Sequence, residues 1–112
     1  GPIGWDSVLP LLQVKLHKHY GDTATLRSHY AATKKWITFL EQAPSSKVEA
    51  GLSDWMGLEH APVALTGRVF FWLNLQAWAY INAVLNVSTV AQEYAARAAA
   101  AAKALNQEFL SD

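Results

Sequence analysis

Trp5-Asp6 and Asp54-Trp55 are the two places in this chain where an indole stands directly beside a carboxylate. An indole face is an apolar wall and a carboxylate accepts hydrogen bonds, the combination that small-molecule pockets use. The same residues have plainer readings. Tryptophans are most often core anchors, and Asp54 can cap a turn. Other reactive groups are sparse. The chain has no cysteine, which removes disulfides, thiolate metal sites and cysteine nucleophiles. His17 and His19 are two positions apart and fall on different faces of a helix, while His29 and His60 have no acidic or histidine partner at ligand spacing. No metal site and no cofactor is therefore expected. His60, beside Glu59, is the histidine best placed for a polar pocket contact. Phosphate loops, nucleophile elbows and His-Glu-x-x-His zinc motifs are all missing.

The elements that must position these residues read as helices. Asp6 or Ser7 can cap a first helix, with Pro10 in its opening turn and Val8, Leu11, Leu12, Val14 and Leu16 as its apolar side. Gly21 stops it. Asp22 caps a second helix, whose Leu26, Tyr30, Ile37 and Leu40 share a face while Lys34, Lys35 and Glu41 stay solvated. Residues 42–63 carry Pro44, Gly51, Gly57 and Pro62 and no sustained period, so they read as a loop centred on Leu52-Ser53-Asp54-Trp55-Met56. This is long for a connection between helices, a length at which loops are commonly functional.

A third helix is predicted from about Ala64 to Leu85 and is apolar nearly all round. Val69–Leu85 is too short for a membrane span and is interrupted by Asn74, Gln76 and Asn82, so no membrane association is expected. Asn86 closes it, and Ser88 is expected to cap a fourth helix with nine alanines between Ala91 and Ala104. A weak repeat at an offset of 64 aligns Leu26 with Val90 and Tyr30-Ala31-Ala32 with Tyr94-Ala95-Ala96. The repeated unit is a helical hairpin, and the offset is too long for the common helical-repeat families.

Across 112 residues, nine Lys and Arg balance nine Asp and Glu, six of each sign in residues 1–63 and three of each in 64–112. That argues against a basic nucleic-acid module. At 52% hydrophobic and 16% charged residues, the chain is also unlike a disordered one. No signal peptide is visible. The opening Gly1-Pro2-Ile3 reads as an interior piece of a longer protein or a tag scar. A third helix with eleven large apolar residues is expected to need cover from more protein or from a second copy, with a dimer favoured.

Several segments together resemble the α-L-rhamnosidase family of glycoside hydrolases. They are Gly4-Trp5-Asp6-Ser7, His19-Tyr20-Gly21-Asp22-Thr23, Lys34-Lys35-Trp36, Phe39-Leu40, Ser53-Asp54-Trp55-Met56 and Ala104-Leu105-Asn106-Gln107-Glu108-Phe109-Leu110. The resemblance implies an all-α fold: two consecutive helical hairpins of about four helices, 6–41 and 64–110, within a six-hairpin (α/α)6 toroid. It implies a terminal rhamnoside as substrate of the parent protein. It also implies that Trp5 and Trp55 line the sugar pocket with Asp6 and Asp54 beside them, since sugar C–H faces stack on indoles and carboxylates accept hydroxyl hydrogen bonds. The chain has Ser53 where the family tends to have Gly, and Asp6-Ser7 where Gly-Asp is common. The family's general-acid motif would precede Gly1 and its base would lie in a later hairpin. Inverting hydrolysis needs two carboxyls ~6.5–9.5 Å apart. Asp6 and Asp54 are the one tempting pair here, but the family places its acid and base elsewhere. No catalytic residue is therefore assigned, and the isolated chain is expected to be inactive. The alternative reading is a standalone helical module that binds a partner protein. Compartment and source cannot be read from the sequence.

Overall fold

The computed structural model describes residues 7–42 and 63–110. Within them the chain is all helical: α1 Val8–Tyr20, α2 Thr23–Ser28, α3 Tyr30–Gln42, α4 Val63–Val84 and α5 Ser88–Leu105, with a π-helical turn over Asn106–Leu110. The long loop expected between hairpins falls almost wholly outside the described residues.

Local chemistry explains where most helices start and stop. Gly21 ends α1 in the left-handed region at φ +67°, and its N–H bonds to His17 O. Asp22 then caps α2: its carboxylate accepts from Thr25 N at 3.0 Å and from Thr25 Oγ1 at 2.5 Å. Those bonds, the side-chain one foremost, hold its carboxyl below the usual range. The single second helix expected from the sequence is interrupted at His29, where φ is −104° and ψ is 6°. There the His29 carbonyl accepts both Thr33 N and Thr33 Oγ1, at 2.9 and 2.8 Å. A threonine hydroxyl bonding back to the carbonyl four residues earlier bends helices in this way.

Two expectations about caps are corrected. Ser7 occupies the N-cap position of α1 but makes no side-chain cap bond, because its Oγ accepts Asn74 Nδ2 at 2.7 Å instead. Ser88 is the first helical residue of α5 and Val87 takes the cap position. Asn86, at φ +63°, turns the chain so tightly that Val87 N still bonds to Asn82 O while Val87 O already receives Ala91 N.

The core forms where the two hairpins meet. Leu26, Ile37, Trp78 and Ile81 are buried together, and Leu40 anchors a second cluster with Trp36, Phe70 and Phe71 packed against it. The repeat has a structural meaning. Tyr30 and Tyr94, its aligned tyrosines, both lie against Trp78, with ring centroids at 4.8 and 6.5 Å. Helix α4 finds only part of its cover within the chain. Leu75, Ala77, Trp78, Ala79 and Ile81 are buried, and Phe71, Trp72 and Leu73 are partly covered. The expected apolar side of α1 is corrected. Pro10 and Gln13 face inward with Val14 packed on the core, whereas Val8 and Leu12 are 63% and 52% exposed. The inward face is chosen by Gln13, whose amide bonds to Thr33 of α3. Among the described residues no helix is long and apolar enough to cross a membrane.

Candidate functional site

Helix direction decides which ends of the fold can share a pocket. Along α1, Ser7 meets Asn74 and His17 meets Tyr80, so α1 and α4 run parallel. Along α3, Trp36 meets Asn74 and Tyr30 meets Asn82, so α3 runs antiparallel to α4. The N-termini of α1 and α4 thus point to the same end of the molecule. They are not level. Asn74 sits opposite the start of α1, and from there α4 continues back eleven residues to Val63, about 16 Å at the helical rise.

The four residues singled out in the sequence, Trp5, Asp6, Asp54 and Trp55, lie outside the described residues, as does His60. The structure does describe the frame next to them. Asn74, fully buried, donates to Ser7 Oγ and to Phe70 O, both at 2.7 Å, and its Oδ1 accepts Trp36 Nε1 at 2.8 Å. One amide thereby ties the first residue before α1 to α3 and α4. Further along, Gln13 Nε2 donates to Leu9 O at 2.9 Å and to Thr33 Oγ1 at 2.8 Å. Asn82 Nδ2 donates to Trp78 O at 2.8 Å while its Oδ1 accepts the Tyr30 hydroxyl at 2.6 Å. Burial raises the Tyr30 phenol above its ordinary pKa, which suits a neutral donor. Asn74 and Asn82 thus form a polar ladder between the two hairpins, and Gln13 ties α1 to α3 within the first.

The ladder is what the sequence reading missed. In the sequence Asn74 and Asn82 read only as interruptions of an apolar run. Their spacing of eight places them on one face with Trp78 between them, and that was the available signal. The remaining polar groups sit on the rim. Arg68 pairs with Glu108 of the π turn, bracing the overhang of α4. Tyr94 donates to Glu41 Oε1 at 2.5 Å, and Arg97 pairs with Glu41 and Glu93. Burial, with Glu41 as a second cause, pushes the Tyr94 phenol up to about 12. Of the histidines, His17 packs edge-on to Tyr80, its Nδ1 2.7 Å from the hydroxyl, and His19 is exposed. No group of three or more acidic, histidine or cysteine side chains among the described residues is placed to hold a metal ion.

A family model described as the bacterial alpha-L-rhamnosidase 6 hairpin glycosidase domain matches residues 1–112. The chain belongs to this family. Its hairpins, α1–α3 and α4–α5, correspond to a fragment of the six-hairpin glycosidase domain, and the parallel run of α1 and α4 is what adjacent hairpins of a ring require. The family relation implies a carbohydrate substrate for parent proteins. No curated protein and no solved structure matched the chain.

Proposed function

We propose that this chain is a single segment of a helical-toroid catalytic domain, hairpins 6–41 and 64–110 joined by 42–63, that lends sugar-pocket residues to an α-L-rhamnosidase-type hydrolase. The observation that carries this reading is the family match over the whole chain. Trp5 and Trp55 would stack on a terminal rhamnose, and Asp6 and Asp54 would accept its hydroxyls. The shared direction of α1 and α4 supports this, because each pair precedes one of these helices in sequence. The acid and base of the reaction have no counterpart among these 112 residues. Incubating the chain with an aryl rhamnoside is expected to release no phenol; clear turnover would overturn the assignment. Titration with rhamnose, followed by indole N–H resonances, should shift Trp5 and Trp55 together and leave buried Trp78 in place.

A second reading, a helical module that binds a partner protein, is favoured by one observation. Val8, Leu12 and Phe39 are large apolar side chains left more than half exposed. In the first reading neighbouring hairpins cover them, and in the isolated chain a second copy does, most simply as a dimer. The reading frame around the chain separates the two: an upstream Glu-containing acid motif decides for the hydrolase.

A further inference from the structure

Residues 11–19 of α1 and 73–80 of α4 flank a half-open groove of about 560 Å³, within the size range of small-molecule sites. Leu11 and Val14 from α1 and Leu73 and Ala77 from α4 make it apolar. Lys15 and Lys18 stand along it, and among the described residues that line it none is Asp or Glu. In a chain of zero net charge, that makes the groove a local excess of positive charge. Two contacts prepare it. His17 Nδ1, 2.7 Å from the Tyr80 hydroxyl, fixes the phenol ring, and the ring in turn holds Lys18 Nζ 5.2 Å from its centroid. The ammonium therefore has a partner on the groove wall while it remains exposed to solvent.

The geometry points to a binding site for an amphiphilic anion, an apolar body carrying one carboxylate or sulfonate, seated between α1 and α4 with its charge on Lys15 and Lys18. Charge complementarity selects the anion and the aliphatic walls select the apolar body. The site uses neither Trp5, Asp6, Asp54 nor Trp55, so it is independent of the sugar-pocket reading.

The test is fluorescence titration of the 112-residue chain with anilinonaphthalene sulfonate, alongside the neutral dye N-phenylnaphthylamine. One saturable site is expected, weakened by salt. The charge reversal Lys15→Glu with Lys18→Glu should lower affinity about tenfold or more with an unchanged circular dichroism spectrum. Both lysines are exposed, so their replacement leaves the core alone. Amide shifts on adding the dye should centre on Leu73, Ala77 and Tyr80. Equal affinity for the neutral dye, equal affinity of the charge-reversed variant, or shifts centred elsewhere would each overturn the proposal.

Discussion

Asn74 shows how much one buried amide can decide. Its carbonyl oxygen holds Trp36 Nε1 and its nitrogen reaches Ser7 across the helix interface. Leucine would suit the apolar surroundings but would strip the indole N–H of its acceptor. Asn74→Leu is expected to lower unfolding free energy by about 1–3 kcal/mol in a urea titration. Combining it with Trp36→Phe should recover part of that loss, because both halves of the bond are then gone. Tyr94 offers a test by pH. Its folded-state pKa of about 12 lies above the ordinary 10.0. The folded protein therefore keeps the proton that the unfolded chain loses first. The stability this provides is fully present below pH 10 and is lost as pH rises toward 12. Thermal melts across that window should fall steeply in the wild type and less steeply in Tyr94→Phe, and the last phenolate absorbance step should vanish with the substitution.

At the scale of elements, two left-handed residues close the tight turns. Gly21 has φ +67°, and a Cβ there would meet nothing within 4 Å. The cost of Gly21→Ala is thus backbone strain alone, about 1–2 kcal/mol, and Gly21→Asn should cost visibly less in the same melt. Asn86 sits at φ +63° in the α4–α5 turn. Asn86→Gly should be neutral or stabilising and Asn86→Ala destabilising by a similar ~1–2 kcal/mol. Helix α2 has only six residues and leans on Asp22 for its start. Its carboxyl is held low chiefly by the Thr25 side chain, so the cap is intact above the ordinary 3.8 and is lost as pH falls through the depressed value. Faster amide exchange at Thr25 and Leu26 in Asp22→Ala would report the same loss at neutral pH.

For the whole molecule, the most exposed large apolar side chains lie on α1 and α3. On α4, Trp78 and Ile81 are covered by α2, α3 and α5 residues, whereas Val69, Phe70, Phe71, Trp72, Leu73, Tyr80 and Val84 are half-buried, so the expected need for further cover stands. Val8 and Leu12 form the exposed strip, with Phe39 stacked on Trp36 at 5.9 Å. Sedimentation equilibrium at tens of micromolar is expected to show a dimer for the wild type. Leu12→Glu should shift it toward monomer with little change in helicity, because Leu12 is half exposed. A monomeric wild type would show that this strip tolerates water by itself.

Where a feature depends on neighbours in sequence, the sequence was enough. Gly after a periodic run, Asp before one, and Asn at a tight corner act through their own backbone or the next turn, so the helix ends at Gly21, Asp22 and Asn86 could be read directly. The all-helical hairpins followed from the same local patterns, and the family from the resemblance of several segments taken in order. Tertiary structure decided what depends on distant partners. Ser7 forgoes its cap because Asn74, 67 positions away, claims its hydroxyl. Val8 and Leu12 face outward because Gln13 is drawn to Thr33, 20 positions on. Apolar spacing offers a helix several faces to bury, and on α1 the buried face carries Ser7 and the Gln13 amide nitrogen to partners across the interface, with Gln13 Oε1 buried beside them without a partner.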